Sequence, residues 1–437
     1  MTFTILHGNN LDILPTLPDN SVDSIVTDPP YELGFMGKKW DSSGIAYSVE
    51  LWTECLRVLK PGGHLLSFGG TRTFHRVAVA IEDAGFEIRD NIAWLYGSGF
   101  PKSLDVSKAI DKAAGAERRV LGTYVAPDGK RRTGGNSFSV GKEPDGREEG
   151  KRTAPSTPEA QQWEGWGTAL KPAHEPIIVA RKPLIGTVAH NVLTHGTGAL
   201  NIDGSRIGTD DNLNGGRYSD GKNENDSFVF GKGVNKRSKN DFEQPKGRWP
   251  ANIILDEHTA GLLDEQSGVS KSPATYVRNK GTLEGERVAY ANIGESAGAE
   301  SLNYGDSGGA SRFFYVAKAS KRDRNEGLEE MPIKRPDNRS STGMGTFEEK
   351  GVQPQQNFHP TVKPTALMEY LVKLVTPPNG TVLDPFTGSG STGKAAILNG
   401  FNFIGIEMTE DYLPIIAARL KHAETEFAKV QADGGLF

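Results

Sequence analysis

Asp28-Pro29-Pro30-Tyr31 follows the apolar run Ser24-Ile25-Val26-Thr27, and its residue types suit a demanding reaction. Two successive prolines lack amide hydrogens, so a strand entering this tetrapeptide must stop there. In an α/β protein that places Asp28 on the sheet edge where ligands bind. A carboxylate at Asp28 and the stiffened carbonyl of Pro29 could each accept one N–H bond from a single amino group. The pair would draw the lone pair of an aromatic amine out of its ring and make the nitrogen nucleophilic. Tyr31 would offer a flat face to a base, an interaction of roughly 1 to 3 kcal/mol, which helps offset extrusion of a nucleotide from a duplex.

A second constellation runs from Leu383 through Asp384, Pro385, Phe386, Thr387, Gly388, Ser389 and Gly390 to Thr392. It reads as a strand end, a Gly-x-Gly turn and a helix start, and glycines there let the backbone approach a cofactor closely. Glu407 closes the next strand pattern about 20 residues on, where a carboxylate can bind both ribose hydroxyls. The third glycine of the dinucleotide fingerprint is missing, which favours a nucleoside cofactor without phosphates to cradle.

Both constellations need elements to hold them. From Thr4 to about Lys182, β-branched runs alternate with helical patterns, the mark of βαβ units and a mostly parallel sheet. Lys60-Pro61-Gly62-Gly63 is expected to stop the first long helix and Ala84-Gly85 the second. Residues 1–183 form the catalytic part, interrupted by a polar, apolar-poor stretch over about 123–164 that is expected to be mobile. Residues 184–356, rich in Gly, Asn, Ser, Lys and Asp, break the pattern, and Arg312 to Lys318 contains an apolar strand expected in the core. From 357 to 437 the α/β pattern returns, so one sheet is built from both ends of the chain with the middle inserted.

The chain has 437 residues, one cysteine and a formal net charge of −5. That size allows a core without cross-links, and a lone Cys55 excludes an internal disulfide or a cysteine-rich zinc site. No metal is expected, since zinc-ligand spacing and HExxH are missing, as is a P-loop. The N-terminus lacks a secretory pattern and no long apolar run appears, so a soluble cytoplasmic protein, away from membranes, is expected. The acidic balance means that any nucleic-acid contact must come from local patches. Lys38, Lys39 and Trp40, just after the Asp28 motif, suit phosphate contact and stacking, and Arg72 could reach the same strand.

Taken together, these motifs resemble those of the amino-group DNA methyltransferases, with the order of the β class: catalytic motif, variable region, cofactor motif. His359-Pro360-Thr361-Val362-Lys363-Pro364 is similar to the family segment that closes over the methionine end of S-adenosylmethionine. The resemblance implies a class I methyltransferase fold, a Rossmann-like, circularly permuted seven-stranded sheet with one antiparallel strand, and a target-recognition role for 184–356. It implies that Asp28, Pro29, Pro30 and Tyr31 act on the base and that Asp384, Pro385, Phe386, Gly388, Ser389 and Gly390 line the cofactor. Glu407 would take the ribose, and His359, Thr361 and Lys363 the amino-acid end. Where the family commonly has an aspartate after the first glycine, this chain has Asn9, an uncharged acceptor.

The implied reaction is methyl transfer to N6 of a flipped adenine in double-stranded DNA by a nucleoid-associated protein, with homodimerisation common in the class. The alternatives are N4 of cytosine, where relatives more often carry serine in place of Asp28, and a catalytically silent DNA-binding module. RNA or protein glutamine fits less well, because glutamine enzymes resemble Asn-Pro-Pro-Tyr.

Overall fold

The computed structural model describes residues 1–33, 39–97, 99, 103–123, 151–213, 243–271, 275–277, 300–302, 306–318, 320–333 and 356–433. Among the described residues, nine strands make the main sheet: β1 (Phe3–His7), β2 (Val22–Thr27), β3 (Leu59–Phe68), β4 (Glu87–Leu95), β5 (His174–Arg181), β6 (Ile253–Asp256), β7 (Tyr315–Ala317), β8 (Thr381–Asp384) and β9 (Asn402–Glu407). Their spatial order is β1-β9-β8-β2-β3-β5-β4-β6-β7. Only β5 runs antiparallel to its neighbours, pairing that way with both β3 and β4. The first seven positions are the expected class I methyltransferase sheet, assembled from both ends of the chain.

Successive residues of the central strands serve opposite faces, as a two-residue period requires. Val26 and Leu66 pack with helices α5 (Thr365–Val375), α6 (Ser391–Leu398) and α7 (Leu413–Ala432) through Leu371, Ala396 and Ile416. Ile25 and Leu65 pack on the other face with α1 (Val49–Val58) and α2 (Phe74–Asp83) through Trp52, Cys55 and Ile81. All six residues of β2 are buried, so its polar members need partners. Asp23 pairs with Lys60 at 2.6 Å, and Ser24 shares a 2.8 Å bond with Thr376.

Three segments differ from expectation. Lys60-Pro61-Gly62-Gly63 opens β3 instead of capping α1, which ends at Val58. The physical reason is pairing: Gly62 N donates to Lys182 O and Lys182 N donates to Gly63 O, extending the sheet into the turn-like sequence. Within the stretch expected to be mobile, Lys151–Thr153 pairs with Val120–Thr123 and Pro158–Gln162 is helical. Buried Asp111 orders it by accepting bonds from Ser156 N, Thr157 N and Thr157 Oγ1; residues 124–150 lie outside the described residues. Finally, β6 and β7, from the middle region, extend the sheet to nine strands. Among the described residues, no helix is long and apolar enough to cross a membrane.

Candidate active site

Strands β2 and β8 lie side by side and parallel, Ser24 opposite Val382 and Ile25 opposite Leu383. The tetrapeptide after β2 and the glycine turn after β8 therefore leave the same edge of the sheet. From β8 the chain continues through β9 to one side, and from β2 through β3 to the other, which makes this gap the topological switch point where such sheets bind ligands. Thr27 Oγ1 ties the two strand ends together by donating to Asp384 Oδ1 at 2.6 Å, and Phe386 N donates to the same oxygen at 3.0 Å. Burial pushes the Asp384 carboxyl up to about 6, against the opposing pull of bonds from Thr27, Thr392 and Phe386.

A cavity of about 660 Å³ opens there, within the range of small-molecule sites. Its wall includes Asp28, Pro29, Pro30 and Tyr31, together with Asp384, Pro385, Phe386, Gly388, Ser389, Glu407, His359, Thr361, Lys363 and Asn9. Gly390 is not in the wall; it caps α6 in the left-handed conformation, with φ of 76°.

One half of the cavity is a cradle. Gly388 has φ of 55°, and a Cβ built on it would come within 3.0 Å of His359 Nε2. Glu407 Oε2 accepts from Gly388 N and its Oε1 from Thr409 N, both at 2.8 Å, so the strand-end carboxylate shapes the turn. Each carboxylate oxygen keeps lone-pair capacity for a further donor such as a hydroxyl. Fully buried Arg419 of α7 donates to the Ser389 carbonyl and hydroxyl and fixes the far side of the loop. His359 stacks edge-on to Tyr412, and burial lowers its imidazole to about 4, which keeps it neutral. The Asn9 side chain is occupied in capping the short helix Asn10–Ile13 through Leu11 N. Its neighbour Asn10 reaches the Pro385 carbonyl at 3.4 Å.

The other half holds the Asp28 motif. Lys363 Nζ donates to Asp28 Oδ2 at 2.7 Å and to the Tyr31 hydroxyl at 3.2 Å, and lies 3.2 Å from Glu175 Oε2. The Tyr31 hydroxyl in turn donates to Glu175 Oε2 at 2.8 Å. Burial alone would lower the Lys363 ammonium, but Asp28 and Glu175 outweigh it and hold the pKa above its ordinary value. Burial, with Asp28 and Glu175 adding to it, raises the Tyr31 phenol well above its usual range. Asp28 Oδ1 is different: it is buried and has no hydrogen-bond partner, the only such carboxylate oxygen among the described residues.

Residues 22–418 match the N6_N4_Mtase family model, described as DNA methylase. The chain belongs to this family. One 77-residue stretch, 17% of the chain, is 42% identical to 26% of DNA adenine methyltransferase YhdJ of Escherichia coli (strain K12). Another of 113 residues, 24% of the chain, is 34% identical to 36% of type II methyltransferase M.HpaI of Haemophilus parainfluenzae. The chain thus spans about a quarter to a third of the length of these curated relatives. The solved PvuII DNA methyltransferase (cytosine-N4-specific) is 13% identical over 99% of this chain and 94% of that one, with a TM-score of 0.41. S-adenosylmethionine is the methyl donor of the family. The residues present fit it: a cradle that a Cβ at Gly388 would fill, the Glu407 carboxylate, and apolar surface from Phe386, Ile406 and Met408.

Of the residues expected to meet DNA, Lys38 lies outside the described residues, and Lys39 and Trp40 belong to a 3₁₀ turn spanning Lys39–Ser42. Arg72 is exposed and outside the cavity wall, next to Thr71, which lines it. Lys363 stands on Asp28 rather than only among the cradle residues. Sequence reasoning missed Glu175, Thr27, Asn10 and Arg419. The signal for Glu175 was an acid just before the apolar run Pro176–Ala180: in the one strand of the main sheet that is antiparallel among the described residues, the start lies at the ligand edge.

Proposed function

We propose that this DNA methylase transfers a methyl group from S-adenosylmethionine to an exocyclic amino nitrogen of a base flipped out of double-stranded DNA, with N6 of adenine the preferred acceptor. The observation that carries the reading is Asp28, which lines the same cavity as the Gly388 cradle and whose Oδ1 is a buried acceptor without a partner. Leaving such an oxygen unpaired costs about 1 to 3 kcal/mol, a cost recovered when a donor arrives. An amino group would donate one hydrogen to Asp28 Oδ1 and the other to the Pro29 carbonyl, turning its lone pair away from the ring. Tyr31, whose hydroxyl is tied to Glu175, stacks the base. Bound S-adenosylmethionine supplies a methyl group already activated by its sulfonium.

Adenine is favoured by the aspartate at position 28 and by similarity to YhdJ, which is named a DNA adenine methyltransferase. The test is methyl-labelled S-adenosylmethionine with duplex DNA, followed by mass spectrometry of the nucleosides. We expect N6-methyladenine from the parental chain and at least a roughly 100-fold slower reaction from Asp28→Asn. N4-methylcytosine would move the acceptor base, and undiminished transfer by the variant would end the reading.

A further inference from the structure

We propose that Glu175 is a positioning residue, which keeps Asp28 Oδ1 free for the incoming amine by holding Lys363 on the other oxygen. The inference rests on the methyl-transfer reading above. An ammonium with no second acid to oppose it is attracted equally to both oxygens of a carboxylate and can settle on either. Here the ammonium is pulled from two sides: Asp28 Oδ2 at 2.7 Å and Glu175 Oε2 at 3.2 Å. The Tyr31 hydroxyl at 3.2 Å is a third acceptor, so the three ammonium hydrogens have three destinations. The result is an asymmetric Asp28, one oxygen neutralised and one bare.

The same carboxylate accepts from the Tyr31 hydroxyl at 2.8 Å. Rotation of the stacking ring and placement of the ammonium therefore share one anchor. The anchor is available because β5 is antiparallel. Ile177 pairs with Phe68 at the end of β3, so the residues preceding it stand at the edge from which Asp28 emerges. Lys363 also lies over the Phe68 ring at 4.7 Å, which confines the ammonium from below without offering it an oxygen. A purely stabilising ion pair would explain this cluster poorly: burying two carboxylates and one ammonium is costly, and apolar replacements of such groups are often neutral or stabilising.

The test compares Glu175→Gln and Glu175→Ala in the full chain, using methyl-labelled S-adenosylmethionine and duplex DNA, with calorimetric binding of S-adenosylmethionine as a check on the cradle. Gln keeps an acceptor for Tyr31 but removes the charge that opposes Asp28; Ala removes both. We expect kcat to fall about tenfold in E175Q and on the order of 100-fold in E175A, with KM for DNA and the S-adenosylmethionine Kd within about threefold of the parental values. Because Glu175 acts through Lys363, E175Q should cost less than about threefold more in a Lys363→Met background. Parental kcat in E175A overturns the inference. So does a full tenfold loss from E175Q when Lys363 is already gone, or a loss confined to KM. E175Q preserves the hydrogen-bond shape and decides the matter even if E175A folds poorly. A parental chain that transfers no methyl would instead overturn the methyl-transfer reading, and this inference with it.

Discussion

Two aspartates at adjacent strand ends are set to different tasks by their surroundings. Asp28 keeps one oxygen bare, whereas the Asp384 oxygen Oδ1 accepts from Thr27 and Phe386 and so fixes the loop geometry. Burial raises Asp384 to about 6, so it is protonated in the folded protein at pH values where an unfolded chain would carry it ionised. The sign follows: ionising it costs stability as pH rises from about 4 to about 6. Its ionised form is nevertheless the one that accepts two donors at once, and a proton on the carboxyl would compete with them. The affinity for S-adenosylmethionine should therefore fall several-fold between pH 7 and pH 5, and Asp384→Asn should flatten that slope in calorimetric titrations. An unchanged slope in the variant would assign the dependence to another group. Asp28, Asp384 and Glu407 were legible in the sequence because each sits in a short motif whose meaning is local. Glu175 was not, since its partner Tyr31 is 144 residues away and only the fold reveals it.

Between strand β8 and helix α6, two glycines that both have positive φ have different surroundings. A Cβ on Gly388 would meet His359 in the cavity wall, at 3.0 Å, whereas one on Gly390 would meet Ile416 of α7 at 3.3 Å, in the core. Both have positive φ, 55° and 76°, where alanine costs roughly 1 to 2 kcal/mol. Gly388→Ala should thus weaken S-adenosylmethionine binding about tenfold or more, because His359 has to move out of the cradle. Gly390→Ala should chiefly lower the melting temperature, by an amount matching about 1 to 2 kcal/mol, with a smaller effect on binding. Calorimetry and thermal unfolding on the two variants check this; equal binding losses would mean that the turn moves as one unit. The turn was readable because glycine spacing and flanking periodicity agree. Lys60-Pro61-Gly62-Gly63 misled for a related reason: the same residue types that stop a helix also open a strand, and the bond to Lys182 that decides between them comes from 120 residues downstream in the chain, a distance no local pattern covers.

At the scale of the whole molecule, the permuted sheet was legible from its ends, where strands and helices alternate with full periods. The extension by β6 and β7 was only partly so. An apolar core strand was expected within Arg312 to Lys318; the strand there is Tyr315–Ala317, of which Ala317 is buried. That it pairs with Ile253–Asp256 and carries the sheet beyond β4 could not be read from three- and four-residue runs, which are too short to establish a period. The assembled sheet has a measurable electrostatic signature in His64. On β3 it pairs with Ser24 of β2 and Arg181 of β5, so it lies in the middle of the assembled sheet and is buried. Burial, with Arg181 and Arg89 adding to it, lowers its imidazole to about 4. An unfolded chain takes up that proton near pH 6.5, so this contribution to stability is whole above that pH and is lost as pH falls towards 4. The loss from His64 between pH 7 and pH 5 should be about 2 kcal/mol. His64→Leu, of similar volume and without a proton to gain, should shrink the difference in unfolding free energy between those two pH values by that amount, as read from denaturant titrations. If the parental chain and the variant respond to acid alike, His64 is protonating within the folded sheet, and the centre of the sheet is more open to water than its packing implies.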